Sequence, residues 1–254
     1  MRALFASFVI ACSALATAHA ADLPLKANPP PPVPSWAGFY AGLNVGYGWA
    51  AADPKLTSAV NFNPGAIPLQ IPFEIALSRK GVIGGGQFGY NWQSGNIVAG
   101  LEADIQGSAV HGSGSYFYTG FLGGLPISNT VDSSIDWFGT VRGRLGVTLQ
   151  PSFLLYATGG LAYGGVSFNA NVIAVPATVT TFQGSTSGIR TGWTAGAGAE
   201  WAIAPRWTVR AEYLHVDLGS TSVLELDPKF PTSSLTYRLS HDMNIVRGGI
   251  NYRF

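Results

Sequence analysis

Charge is scarce in this chain. Only 11% of its 254 residues are Asp, Glu, Lys or Arg, against about 25% in an average soluble domain. Cysteine is almost absent, with Cys12 alone, so no disulfide framework holds the fold. No apolar run reaches the 18 or more residues of a membrane-spanning helix, and from Trp36 onward no useful stretch has helical periodicity. A formal net charge of +1 with no basic patch leaves nothing to attract nucleic acid. Cys12 itself lies in what reads as an export signal at 1–20: Arg2, an apolar stretch from Leu4 to Ala16, then Ala18-His19-Ala20 as an A-x-A cleavage site. Without Arg2 the chain carries thirteen basic and thirteen acidic residues. Residues 21–35, with the tract Asn28-Pro29-Pro30-Pro31-Pro32-Val33-Pro34, read as an extended periplasmic spacer. Residues 36–254 form the remaining domain.

Glycine (33 residues), aromatics (12%) and period-two alternation are what the chain has in quantity. Alternation predicts eight strands, at about 37–50, 81–93, 96–109, 133–149, 153–168, 190–204, 206–219 and 240–254. Connections near Ser94-Gly95, Pro151-Ser152 and Ala204-Pro205 are very short; those at 51–80, 110–132, 169–189 and 220–239 are long. Strict alternation of short and long connections predicts an up-and-down antiparallel meander, with the tight turns at one end.

Each strand has one apolar and one polar face. Trp193, Ala195, Ala197, Ala199 and Trp201 oppose Thr194 and Glu200; Trp207, Val209, Ala211 and Tyr213 oppose Thr208, Arg210 and Glu212. Three features put the apolar face outside, against lipid. The aromatics Trp193, Trp201, Trp207 and Tyr213 sit at the ends of the apolar faces, as interfacial girdles do. The polar faces balance Glu102, Asp104, Asp136, Glu200 and Glu212 against Arg142, Arg144, Arg210, Arg247 and Arg253, and every base is Arg, the residue suited to confined bidentate pairing. An even strand count without cysteine suits a closed barrel with no free edge. The expected fold is an all-β, eight-stranded antiparallel transmembrane barrel in the outer membrane, in contact with its lipids. Glu102, Asp104, Arg142, Arg144, Glu200, Arg210, Glu212 and Arg247 are expected to form an ion-pair plug in the lumen.

The last eight residues, "RGGINYRF", resemble the C-terminal assembly signal of bacterial outer-membrane proteins through Arg247, Gly249, Tyr252 and Phe254. That resemblance implies the barrel-assembly machinery as a partner of the last strand. The stretches "FYAGLNVGYGW", "GGQFGYNWQ", "LLYATGGLAYG", "GWTAGAGAEWA" and "RAEYLHVDLG" resemble the RopB-like family of small alphaproteobacterial outer-membrane barrels, often labelled porin-family proteins. The resemblance implies long loops outside the cell and short turns in the periplasm. Members of that family are described as structural proteins, surface antigens or haem binders, and none of these roles brings a residue motif that transfers here.

Other motifs are weaker. Gly84-Gly85-Gly86-Gln87-Phe88-Gly89 matches G-x-G-x-x-G formally, but alternating aromatics follow it instead of a helix, so it reads as a glycine-rich strand. His111, His215 and His241 lie near the loop ends of their strands and could serve haem or a metal, although no pair has ligand spacing. His215, Asp217 and Ser220 are near enough in sequence to be checked as a catalytic group. The expected function is a structural or cell-surface interaction role without catalysis, cofactor or metal, and with the surface ligand open. The alternatives are a narrow porin for small polar solutes and a haem or small-ligand receptor at the loop mouth.

Overall fold

The computed structural model describes residues 35–50, 55–60, 77–121, 125–174, 181–226 and 234–254. The expected signal at 1–20, and the spacer apart from Ser35, lie outside them. Among the described residues nine strands follow in order: β1 (Gly38–Ala50), β2 (Lys55–Val60), β3 (Lys80–Ser94), β4 (Ile97–Phe121), β5 (Leu125–Gln150), β6 (Phe153–Ala174), β7 (Thr181–Ala204), β8 (Trp207–Leu226) and β9 (Ser234–Arg253). Each pairs antiparallel with its neighbour, and β1 closes the ring on β9 from Tyr40↔Arg253 to Ala50↔Met243. β2 continues along the same edge of β9, from Lys55↔Arg238 to Val60↔Ser234. β1 and β2 therefore share one position in the wall, and the barrel is eight-stranded and up-and-down.

The outer face carries the apolar side chains that the alternation assigned to it. Leu43 is 68% exposed, Leu145 62% and Leu161 69%, an arrangement that only hydrocarbon satisfies. Aromatics bound this band. At the short-turn end Phe39, Tyr90 and Trp92 pack in sequence, and Trp207, Tyr252 and Phe254 do the same. At the other end stand Trp49, Trp137 with Tyr163, and Trp193 against His215. Trp193 and Trp201 are eight residues apart on β7. At about 3.3 Å per residue and a tilt near 40° that is roughly 20 Å of height, comparable with the ~25 Å band of such barrels.

The strands continue far beyond the upper girdle, which corrects the sequence reading. Most of 110–132, 169–189 and 220–239, expected as long loops, is strand: β4 runs to Phe121 and β5 starts at Leu125. In this extension the faces invert, because water replaces lipid outside. Three lateral rungs of polar residues cross the outer face of β4 to β7: His111, Ser134, Ser167 and Ser187; Ser113, Asp132, Asn169 and Ser185; Ser115, Thr130, Asn171 and Gln183. The inner face there holds an apolar core of Leu77, Val131, Phe168, Val172, Phe182, Val223, Leu235 and Tyr237.

Candidate functional site

The lumen is the part of the molecule where chemistry-bearing side chains converge. Its contents are stacked in layers. At the short-turn mouth Trp36, 1% exposed, packs with Val98, Leu154 and Tyr156. Its backbone N donates to Gln93 Oε1 at 2.7 Å and its indole Nε1 to Pro151 O at 3.2 Å. Arg253 stacks over the Trp36 ring at 5.1 Å and donates to the carbonyls of Ser35 and Pro205. It therefore belongs to this cap and not to the ion-pair layer with which its parity grouped it.

Above the cap the structure brings all eight expected lumen charges together. Arg142, on β5, donates to Glu102, to Asp104 Oδ2 at 3.1 Å and to Glu212 Oε1 at 3.1 Å. Arg247, on β9, bonds Asp104 Oδ2 at 2.9 Å and Glu212 Oε2 at 2.7 Å. Arg210 pairs with Glu102, and Arg144 with Glu200 Oε2 at 2.8 Å. Four guanidinium groups thus face four carboxylates, all with side chains at most 3% exposed. Burial of such charges is tolerated only with this degree of mutual pairing.

Several members of the network were not singled out in the sequence, because they are neutral. Tyr40 Oη donates to Glu102 Oε2 at 2.6 Å while accepting from Arg144 at 3.0 Å. Tyr156 donates to Glu212 and lies under the Arg144 guanidinium at 4.1 Å. Glu200 accepts from Thr208 and Asn251, and Asn251 leads on through Gln87 to Asn44. Glycines make the room: a Cβ at Gly89 would lie 2.4 Å from Tyr40 Oη, and one at Gly198 2.5 Å from Tyr156 Oη. The glycine-rich segment of β3 serves this packing.

One expected charge is elsewhere. Asp136 faces outward, because the β5–β6 register slips between Ile135 and Trp137. A bulge of one residue reverses side-chain parity, so Ile135 and Phe138 both turn inward. They join Ile83, Val110, Val166, Leu214, Val216, Leu218, Met243 and Ile245 in an apolar layer directly above the ionic one. The sequence reading assigned the lumen a polar face throughout; the layer above the ions is apolar.

The histidines do not converge. His111 and His215 face outward on β4 and β8, and His241 is buried on the inner face of β9. Among the described residues no three His, Cys, Asp or Glu side chains form a metal site. His215 Nδ1 is 3.0 Å from Asn244 Oδ1, Ser220 Oγ accepts from Arg238, and Asp217 Oδ1 accepts from the Gly219 N–H. The three side chains therefore bond elsewhere instead of forming a relay. His241 Nε2 lies 3.1 Å from Thr221 Oγ1; burial and then the nearby Arg79 and Arg190 charges hold its pKa down at about 4. Higher in the extension Glu225 is fully buried, and burial pushes its carboxyl up to about 8.

Of the four residues resembling an assembly signal, Arg247 is in the ionic layer. A Cβ at Gly249 would lie 2.8 Å from Leu43 O, and Tyr252 and Phe254 pack edge-on at 5.4 Å on the outer face. The Phe254 N–H donates to Phe39 O at 3.0 Å where β9 meets β1. Trp193, Trp201, Trp207 and Tyr213 all face outward and are 43–57% exposed.

Comparison with known proteins identifies the family. Residues 8–254 match the family model described as outer membrane protein beta-barrel domain. The chain is 38% identical to the 31 kDa outer-membrane immunogenic protein of Brucella melitensis over 221 residues, 87% of this chain and 84% of that one. It is 30% identical to the 22 kDa outer membrane protein of Rhizobium leguminosarum bv. viciae, over 89% of this chain and 82% of that one. Among solved structures, OprG from Pseudomonas aeruginosa aligns with 86% of this chain and 96% of its own, at 13% identity and a TM-score of 0.49. The chain belongs to the outer membrane protein β-barrel family and is a small barrel of the outer membrane.

Proposed function

We propose that this protein is a structural, surface-presenting barrel with a sealed lumen, and that it neither conducts solutes nor catalyses. The observation that carries the reading is the stacking of two unlike seals: a charge-neutral ion-pair layer and, directly above it, the apolar layer around Phe138 and Leu214. A barrel of eight strands is just wide enough for side chains to fill, and an ion crossing here would lose its hydration twice. The relatives in Brucella are named immunogenic outer-membrane proteins, which fits presentation of the tall long-loop end at the cell surface. The test is single-channel recording of the refolded protein in a planar bilayer. The wild type is expected to be silent. Arg142→Ala/Arg144→Ala is expected to stay silent too, because the apolar layer remains, and openings should need Phe138→Ala and Leu214→Ala in addition. Steady openings from the wild type would make it a small-solute porin.

Arg247, Gly249, Tyr252 and Phe254 serve in this reading as the signal taken up by the assembly machinery, consistent with their place in the strand that closes the ring. Phe254→Ser should lower the amount of folded protein in the outer membrane while leaving refolding in detergent intact.

A further inference from the structure

Among the described residues the β7–β8 ladder is interrupted in the extension. β7 pairs with β8 at Gln183↔Leu226 and again from Trp193↔Asp217 downward, but no pairing joins 184–192 to 218–225. Both stretches stay in the wall, because β7 remains laddered to β6 and β8 is laddered to β9 from Ser220 upward. Two unpaired strand edges therefore face each other just above the upper girdle. The cause is local. β8 bulges between Asp217 and Ser220, where Gly219 takes a φ of 79°, and a bulge bends its strand away. A Cβ at Gly184 would lie 2.7 Å from Glu225 Cγ and one at Gly192 1.8 Å from Asp217 O, whereas one at Gly188 meets nothing within 4 Å.

Behind this opening stand an arginine and a buried, neutral histidine. Arg190 belongs to the inward parity of β7 beside Gly188, and its buried Nε has no partner. In the ionic layer each of the four arginines holds carboxylates, and Arg206, Arg238 and Arg253 bond hydroxyls or carbonyls. Arg190 has no ion pair and no hydrogen bond among the described residues. His241 is 1% exposed, bonds Thr221 on the β8 edge through Nε2, feels the charge of Arg190, and has an unpartnered Nδ1. Asp217 and Asp242 stand directly opposite each other at the lower rim. Backbone N–H groups that the interrupted ladder leaves without a cross-strand carbonyl need another partner, and an unpaired arginine with such donors is the chemistry of an oxyanion site.

We propose that the β7–β8 seam is a lateral phosphate-binding site anchored by Arg190 and backed by His241. Its height, one step above Trp193, is that of the outer-leaflet headgroups. The phosphate could therefore be carried by a membrane glycolipid or be free in solution.

The test uses the full refolded chain and follows the imidazole resonance of His241 by NMR. One arm titrates inorganic phosphate onto the protein in a zwitterionic detergent. The other compares nanodiscs containing lipid A with nanodiscs containing dephosphorylated lipid A. A saturable His241 shift in the first arm assigns the site to free phosphate; a shift only with phosphorylated lipid A assigns it to the headgroup. Either result must weaken at least tenfold in Arg190→Gln and in Gly188→Leu, which fills the open space on the inner face beside Arg190, and must persist in Arg206→Gln at the far end of the barrel. Heat-dependent gel mobility checks that each variant is folded. No saturable shift in either arm, a shift retained in Arg190→Gln, or one lost equally in Arg206→Gln overturns the proposal.

Discussion

Arg142 shows what a single residue does in a confined lumen. Three carboxylates lean on it, so Arg142→Met leaves uncompensated buried charge and should cost about 3–5 kcal/mol. Arg142→Lys should recover little of this, because an ammonium cannot reproduce the planar fork. Urea titration of the barrel in lipid vesicles measures both. Two groups in the extension should give opposite pH responses. The Glu225 carboxyl has an ordinary value of 4.5 and about 8 in the fold, so between those values the native state holds a proton that the unfolded chain has lost. Its contribution is complete below about 4.5 and falls as pH rises toward 8. His241 goes the other way, from 6.5 to about 4: its contribution is complete above 6.5 and is lost as pH falls toward 4. The window from 6.5 to 8 isolates Glu225. Protection factors in 221–226 and 234–239, which correct for the intrinsic base catalysis of exchange, should fall across it, and Glu225→Gln should abolish that trend and stabilise the tip at pH 8 by about 1–3 kcal/mol.

At the scale of the strand, the seam makes its own prediction. Amides of β7 between 184 and 192 that point toward β8 should exchange at least ~100-fold faster than those between 193 and 201, where the β8 ladder is complete. Within the membrane the strands were legible, because lipid outside and a charged lumen inside write the alternation strongly, as Trp193 to Trp201 against Thr194 and Glu200 show. The extension was not. In 125–135 the alternation persists, with Val131 and Ile135 inward and Thr130 and Asp132 outward, but its sign is reversed, and a search for apolar-out segments passes over it. The ionic layer was readable as a set of residues because ionised groups on a lipid-spanning strand have one place to go. Tyr40, Tyr156 and Asn251 carried no such signal. Asp136 misled because nothing in 133–138 announces the bulge. The seam was illegible for a related reason: strand pairing is decided between segments, and Gly188 reads locally as one glycine among 33.

From Ser35 onward the described residues form a membrane barrel carrying a tall, self-filled superstructure. The two parts should be separable. Removing 114–131 and joining Ser113 to Asp132, which already face each other, should leave a barrel that refolds and remains silent in bilayers, because the ionic and apolar seals lie below the cut. The wall of polar rungs has a further consequence for anything that reads this surface. Each rung draws one residue from each of four strands, so neighbours on the surface, such as Ser113, Asp132, Asn169 and Ser185, are spread over more than seventy positions of the chain. An antibody fitted to that wall would recognise the folded barrel and ignore every linear peptide cut from it.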